Sequence, residues 1–445
     1  MDGARTAPRL SGVAVFFYGF LPFALGHYLS SLLRNVNAVL APHLAGTLAL
    51  GAGDLGLLTS AFFFSFALVQ LPVGIALDRY GPRLVQLVLM LVAALGALMF
   101  ATGTSFTQLM VARAVIGLGL GGCFMSSVRA ISSWIAPSRL PSVHGYLIAV
   151  GGLGAASATL PVRMALHYTD WRGLFILLAA LTACVGLLIW LVTPRSRAPA
   201  NAAMPTIRSI LDVCRDPAFR KTISLILVPH MIFFGIQGLW IGRWLSDVAH
   251  RSDAEVAHLL YLSMAAVIFG AIGVGMVTEW AGRRGIAPLD VAGVGVAAFM
   301  LVQAAIVVNY SPSFELLAVL FTLVGTFTGI EYAIVAQSMP RELAGRAATC
   351  LNLLIFIGAF LVQAGFGLVI GQWRPDLLGH VPVAAYRFAF GLLLVLQLPG
   401  VLRHFWRRSL VRERVECEPV MLIPEEDYEI GSLRSTRQGK TRSAR

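Results

Sequence analysis

Ionisable side chains fall inside apolar segments that are long enough to cross a membrane, among them Arg34, Arg113, His230 and Glu331. A charged group in the membrane interior is costly, so such residues usually bind a substrate, carry a proton or pair with one another. A guanidinium can hold a carboxylate or phosphate through two parallel hydrogen bonds. A carboxyl group in a medium of low dielectric can titrate near neutral pH. These residue types therefore indicate anion binding and proton transfer.

The proton site is best assigned to Glu331, which is the one acid deep in the apolar segments of the second half and is followed by Tyr332. The alternative is that Glu331 pairs with Arg341 or Arg346 near the end of its segment. His230 could bind substrate or shuttle a proton. A core histidine that bonds a helix carbonyl is the commoner arrangement, so that alternative stays open as well.

The composition requires a membrane protein. The 445 residues are 57% hydrophobic and 13% charged, with a mean hydropathy of +0.78, whereas soluble domains are about 25% charged. The net charge is +12, but the arginines lie between apolar segments and in the tail, so a nucleic-acid partner is not expected. The five cysteines are scattered without C-x-x-C, which argues against a zinc site or a disulfide framework. We expect no metal, no cofactor and no catalytic residue, since H-E-x-x-H and G-x-S-x-G are absent from the sequence.

Apolar segments of about 20 residues predict spanning helices. We place twelve, in two groups of six, at 12–36, 55–77, 84–102, 107–134, 142–165, 173–193, 220–243, 257–278, 288–308, 314–337, 347–370 and 386–403. The corresponding domains are two helical halves, 1–193 and 220–403, a cytoplasmic linker, 194–219, and a disordered cytoplasmic tail, 404–445. The fold class is therefore all-α and polytopic.

Arginine and lysine set the orientation, because they are enriched in cytoplasmic loops. With both termini inside, the inside segments hold 26 of these residues and the outside segments hold 6. We expect a multi-pass protein of a bacterial inner membrane, embedded in the lipid bilayer with cytoplasmic termini.

A ten-residue pattern closes two of these segments, 201 positions apart: residues 74–83 (GIALDRYGPR) and residues 275–284 (GMVTEWAGRR). Each copy has a glycine, an acid four residues on, a second glycine three further and an arginine two further. A duplicated half in a membrane protein is typical of a transporter.

The pattern resembles the cytoplasmic loop signature of the major facilitator superfamily, G-x-x-x-D-[R/K]-x-G-R-[R/K], which lies between helices 2 and 3 with a weaker copy between helices 8 and 9. Residues 113–121 resemble the R-x-x-x-G-x-G-x-G of helix 4, and residues 170–172 resemble the D-W-R that opens helix 6. The resemblance implies twelve helices in two pseudo-symmetric six-helix bundles around a central cavity that opens alternately to either side. It also implies a monomer.

The repeated loop suits a gate, because the acid can pair with an arginine or sit at a helix N-terminus and the glycines permit tight turns. The alternative is that such loops only anchor topology. The candidate gating residues are Gly74, Asp78, Arg79, Gly81, Arg83, Gly275, Glu279, Gly282 and Arg284.

Arg34 begins a stretch, residues 34–42 (RNVNAVLAP), that resembles helix 1 of organophosphate:phosphate antiporters and organic anion:proton symporters. That resemblance implies that Arg34, with Asn37 nearby, holds the negative group of a substrate. The alternative is an arginine at a helix end that snorkels to the interface. Leu33 stands where anion symporters often carry aspartate, and no second cavity arginine is found in segment 7. Nitrate porters use arginines in helices 2 and 8, which are absent here. A monocarboxylate therefore fits better than a phosphate ester or nitrate.

For Arg113 the resemblance implies a position against helix 1, bonded to backbone carbonyls, where it couples protonation to movement; direct substrate binding is the alternative. Further polar residues could line the cavity or equally bond neighbouring helices to one another: Gln70, Gln237, Trp240, Asn352 and Gln363.

We therefore predict a secondary transporter that moves a small organic solute, with a monoanion such as a carboxylate as the favoured example, by proton-coupled alternating access. One alternative is a multidrug or metabolite exporter of the same fold, which would be indifferent to Arg34→Ala. Another is a transport-deficient membrane sensor, which would need its tail after residue 410.

Overall fold

The computed structural model describes residues 15–132, 140–194, 212–309, 313–339, 341–376 and 379–417. Within these ranges the chain is helical between short turns and has no strand. A π-helical turn, Val15–Phe20, precedes the first α-helix, and a 3₁₀ turn, Thr326–Ile330, directly precedes the α-helix that begins at Glu331. The α-helices are α1 Leu21–Asn35, α2 Asn37–Leu48, α3 Ala52–Thr102, α4 Phe106–Leu120, α5 Cys123–Ser132, α6 Leu140–Ser157, α7 Leu160–Ala165, α8 Trp171–Val192, α9 Pro217–Gln237, α10 Trp240–Asp247, α11 Asp253–Gly282, α12 Pro288–Val307, α13 Phe314–Gly325, α14 Glu331–Ser338, α15 Arg341–Ile370 and α16 Val383–Cys417.

Eleven helical stretches of the described chain are long and apolar enough to cross a membrane. They correspond to the twelve predicted segments, because segments 2 and 3 are joined end to end in the single long element α3. The joint is Gly81, whose φ of 76° is left-handed and interrupts the helical backbone. Only glycine adopts this conformation at little cost, so the loop pattern places its second glycine where the chain turns.

The first spanning helix continues further than the sequence predicted. It was expected to end at residue 36, but after a break at Val36 the chain resumes as α2, which reaches Leu48 across Pro42. Arg34 therefore lies 14 positions before the end of this helical stretch, or about 20 Å at 1.5 Å per residue. Arg34 itself is in the last turn of α1, so a snorkelling arginine remains the alternative to anion binding.

Glycines in α4 bring that helix unusually close to α3. An added Cβ on Gly117 would lie 2.3 Å from the carbonyl oxygen of Phe62, and one on Gly119 would lie 2.3 Å from the backbone nitrogen of Ala93. Gly121 lies in the same way against the side chain of Val69. Small residues let backbones approach in membranes, so the glycines of the pattern at 113–121 act in helix packing.

The two halves of the chain, residues 15–194 and 212–402, touch near the turn between α2 and α3. A Cβ on Gly56 would lie 3.1 Å from both the Gln363 carbonyl and the ring of Trp240. Ten residues further along α3, the ring of Phe66 lies 4.4 Å from that of Phe356. We call this end of the molecule, which carries residues 48–56, the closed end.

Residues up to Leu402 form one compact unit, and a second unit begins at Arg403. The described part of the second unit, up to Cys417, is helical, where a disordered tail was predicted from residue 404. Most of the predicted linker (195–211) and the rest of the tail (418–445) lie outside the described residues.

We predict that Gly117→Ala lowers the melting temperature of the purified protein. Its Cβ has no room against the α3 backbone, and overpacking of this kind costs about 1–3 kcal/mol. Thermal unfolding in detergent measures the change.

The matched control is Gly365→Ala in α15, where an added Cβ meets nothing within 4 Å. Alanine there should be neutral or stabilising by about 0.5–1 kcal/mol, since it restricts the unfolded chain. Equal melting temperatures for the two variants would contradict the close packing of α3 and α4.

Candidate functional site

Arg113 bonds to the backbone at the break in the first spanning helix. Its guanidinium, fully buried, donates from Nη1 to the Leu33 carbonyl at 2.8 Å and from Nη2 to the Arg34 carbonyl at 3.3 Å. A continuous helix would bond these two carbonyls to the N–H groups of Asn37 and Ala38. Arg113 thus satisfies backbone groups beside the break, in the position that the sequence resemblance implied; a role in coupling remains a prediction.

Arg34 is half-buried and faces the second half of the chain. Its guanidinium carbon lies 5.3 Å from the centre of the Phe234 ring in α9, within the range of a cation–π contact. No carboxylate of the described residues forms an ion pair with it.

Glu331 and His230 are partners, although they lie 101 positions apart in the chain. His230 Nδ1 contacts Glu331 Oε1, and both side chains are buried. The second carboxylate oxygen, Oε2, has no hydrogen-bond partner among the described residues. This contact differs from both predicted alternatives, which were a helix carbonyl as the partner of His230 and an arginine as the partner of Glu331. The arrangement can share one proton between an imidazole and a carboxylate.

Aromatic and amide side chains connect this pair to Arg34. The ring of Phe234, which lies against the Arg34 guanidinium, also stacks on the His230 ring, with 5.1 Å between the ring centres. Tyr332 meets the His230 ring edge-on at 6.0 Å. Its hydroxyl donates to Asn352 Oδ1 in α15. The predicted residues Arg34, His230, Glu331 and Asn352 therefore share one neighbourhood, and Phe234 is the member that sequence analysis missed.

The other predicted substrate residues are engaged elsewhere. Asn37 donates to Thr59 Oγ1 at 3.2 Å and is buried. Gln70 donates to backbone carbonyls of α3 and of the residue after α4. Trp240 donates to the Gln363 carbonyl, and Gln237 to the sulphur of Met264. In this conformation these four side chains bond helices to one another, which was the stated alternative for Gln70, Gln237 and Trp240.

The first copy of the repeated loop makes contacts between helices. Asp78 pairs with Arg129 of α5 at 2.7 Å, and Arg83 lies 4.6 Å from the ring of Trp190 in α8. Arg79 lies against its neighbour Tyr80. Arg129 was not among the predicted gating residues, and the loop pattern alone gives no signal for it. An added Cβ at Gly74 would meet nothing within 4 Å.

The second copy makes local contacts. Glu279 pairs with Arg283 one turn away, and both side chains are mostly exposed. Arg284 lies over the ring of Trp280 at 4.0 Å. Gly282, the counterpart of Gly81, lies inside α11 without a positive φ, while Gly285 takes the left-handed conformation instead. Added Cβ atoms at Gly275 and Gly282 would meet nothing within 4 Å.

A second buried acid was missed. Asp247, at the end of α10 near the closed end, is 3% exposed. It accepts a hydrogen bond from the Tyr386 hydroxyl at 2.7 Å and pairs with Arg243 at 3.2 Å. His380 Nδ1 lies 3.4 Å away. Segment 7 was predicted to end at residue 243, which left Asp247 in a loop.

The comparison with protein families decides the identity of the fold. The model of the Major Facilitator Superfamily matches residues 23–363. The chain belongs to the major facilitator superfamily. Members of this superfamily are membrane transporters of solutes, which is the class of protein that the sequence predicted.

Relatives of this superfamily member include transporters of organic acids. A probable L-galactonate transporter of Escherichia coli (strain K12) is 29% identical over 282 residues, which cover 58% of this chain and 60% of the relative. The hexuronate transporter of Bacillus subtilis (strain 168) is 29% identical over 159 residues, 36% of each chain. The matched stretches thus span less than two thirds of the length of these relatives.

The solved structures confirm the fold class. A bacterial homologue of the human lysosomal transporter Spinster, in an inward-facing and unoccupied conformation, superposes with a TM-score of 0.72 and 17% identity. The match covers 89% of this chain and 97% of that one. Together with the helices described above, it gives this superfamily member the twelve-helix, two-bundle architecture.

We predict that Asp247→Asn strongly destabilises the protein. Loss of the carboxylate charge leaves Arg243, whose side chain is only 16% exposed, buried without its counter-charge. Removal of one partner from a buried pair costs about 3–5 kcal/mol. A lower melting temperature in detergent is the expected reading.

Glu279→Gln serves as the control, because it removes an acid from an exposed pair worth about 0–1 kcal/mol. If both variants have the same melting temperature as the wild type, the cluster at Asp247 does not stabilise the closed end.

Proposed function

We propose that the protein transports a small monoanionic organic acid together with protons, with Arg34 as the anion site and the pair His230–Glu331 as the proton site. The observation that carries this proposal is the state of Arg34. It lies half-buried between the two halves, with an aromatic ring beside it and no carboxylate partner among the described residues.

Four other arginines of the described chain each have a carbonyl or carboxylate partner, which Arg34 lacks. Arg113 is bonded to carbonyls, Arg129 and Arg243 are paired with aspartates, and Arg251 is paired with Glu315. A cation removed from water without a counter-charge is unfavourable. A bound anion would relieve that cost at Arg34, and a planar carboxylate matches the geometry of the guanidinium.

The charge of the His230–Glu331 pair explains why proton and anion would travel together. With one shared proton the pair is neutral, and without it the pair carries one negative charge. An anion at Arg34 adds negative charge to the same neighbourhood, since the Phe234 ring contacts both Arg34 and His230. Anion binding therefore favours the protonated pair, and protonation favours anion binding. This reciprocal coupling is the basis of symport.

Sugar acids are the substrate class we favour. Two relatives are named for L-galactonate and hexuronate transport, and both compounds combine one carboxylate with several hydroxyls. Beside His230, Tyr332 and its hydrogen-bond partner Asn352 offer a hydroxyl and an amide to the hydroxyl groups of such a substrate. One arginine suits one carboxylate, so a diacid or a phosphate ester should bind less well.

Orientation and assembly follow the same proposal. We propose an inner-membrane monomer with both termini cytoplasmic, on the strength of the 26 to 6 bias in lysine and arginine. The closed end would then face away from the cytoplasm, and the Asp78–Arg129 pair would lie on the cytoplasmic side, where the repeated loop would act as a gate.

We predict that L-galactonate or D-glucuronate raises the melting temperature of the wild type but not of Arg34→Gln. A ligand that binds only the folded state stabilises by about 2.7 kcal/mol at 100 times its Kd. Galactose, galactarate, nitrate and a cationic drug are measured in parallel.

Arg283→Gln, in an exposed local pair, is the matched control and should keep the wild-type response. Stabilisation by galactose or the cation that persists in Arg34→Gln would overturn the anion site. Such a result would favour a carrier of neutral solutes or an exporter.

We predict that Glu331→Gln still binds the anion but no longer accumulates it in response to a proton gradient. The amide keeps the size of the side chain and removes the titrating group. In proteoliposomes, exchange of labelled for unlabelled substrate should continue while gradient-driven uptake is lost.

Glu279→Gln should leave both activities intact. Gradient-driven uptake by Glu331→Gln at the wild-type rate would exclude Glu331 as the proton site.

A further inference from the structure

Two cysteines that are far apart in the sequence meet in the second half of the chain. Cys214 lies in the helical turn at residues 212–215, just before α9, and Cys350 lies in α15. Their Sγ atoms are 3.3 Å apart across 136 positions. Both are free thiols. The scattered cysteines of the sequence gave no indication of this pair.

The surroundings give the two thiols different access. Cys350 is 1% exposed, inside an apolar cluster with Val213 and Phe219. Cys214 is only partly buried at the edge of the same cluster. A reagent from solution therefore reaches Cys214 first, and Cys350 is in place to react with the product.

We propose that Cys214 and Cys350 are a reversible oxidation site, converted by a peroxide into a disulfide that ties the segment before α9 to α15. The sulphurs must approach by about 1.3 Å to reach the bond length of about 2.05 Å. The site stands independently of the proposed substrate.

The chemistry balances in two steps. The Cys214 thiolate attacks one oxygen of hydrogen peroxide, the O–O bond breaks, and the products are a sulfenic acid and water once protons are transferred. The Cys350 thiol then attacks the Cys214 sulphur, the S–O bond breaks, and a disulfide and a second water form. The two thiols lose two electrons, which reduce one peroxide to two waters.

The bond would restrain a part of the molecule that borders the proton site. The cluster around Cys350 includes Val335 of α14 and Met339, which directly follows α14. Tyr332 of α14 packs against this cluster. Oxidation would therefore hold the start of α9 and α15 in their present arrangement. A cross-link that closes a long loop also restricts the unfolded chain, so the oxidised protein should melt at a higher temperature.

The test treats the folded full-length protein with graded hydrogen peroxide, removes the peroxide, and then blocks the remaining thiols with light N-ethylmaleimide in denaturant, so that the buried Cys350 is reached as well. After reduction, the recovered thiols are labelled with heavy N-ethylmaleimide and each cysteine is quantified by mass spectrometry. We expect equal heavy label at Cys214 and Cys350, a cross-linked peptide before reduction, and a rise in melting temperature that dithiothreitol reverses.

Cys184, which is exposed, is the internal reference and should keep the light label. In Cys350→Ser the cross-linked peptide and the rise in melting temperature should both be lost. The proposal is overturned if Cys350 keeps its light label while Cys214 is oxidised, or if neither reacts at peroxide concentrations that oxidise Cys184. Neither result bears on Arg34, so this proposal can fail without the transport proposal.

Discussion

The bonds from Arg113 to the carbonyls of Leu33 and Arg34 support the rest of the site. A helix that breaks inside a membrane leaves polar backbone groups without water to bond, and each such group is costly unless the protein supplies a partner. Arg113 supplies it from α4. The close approach of α4 to α3, which Gly117 permits, brings the guanidinium near enough. The break in turn holds the backbone of Arg34 in place, so the orientation of one arginine depends on another.

The candidate site draws its groups from both halves of the chain. Arg34 comes from the first half, whereas Phe234, His230, Glu331 and Tyr332 come from the second. A site divided in this way changes shape when the halves move relative to each other, which is what alternating access requires. The charges follow the same division, with the cation on one side and the titrating acid on the other. Binding of an anion between them would therefore alter the attraction between the halves themselves.

Sequence reasoning succeeded where a physical rule acts on neighbouring residues. Apolar runs of sufficient length predict spanning helices, and the repeated loop correctly marked the turn at Gly81. It failed where distant residues meet. Nothing near His230 in the chain indicates that its partner is Glu331, 101 positions away. Asp247 was assigned to a loop because segment 7 was predicted to end four residues before it, at residue 243. Single charges in apolar segments identify candidates, but the fold decides their partners.

The two copies of the repeated loop have the same spacing but different surroundings. Asp78 bonds to another helix and Gly81 carries a left-handed turn, whereas Glu279 bonds only to its own helix and Gly282 is an ordinary helical residue. A random change in the first copy disturbs tertiary contacts, while one in the second is absorbed locally. Purifying selection should therefore act more strongly on the first copy, and genetic drift should erode the second faster. We therefore expect the pattern to vary more among relatives in the second loop than in the first.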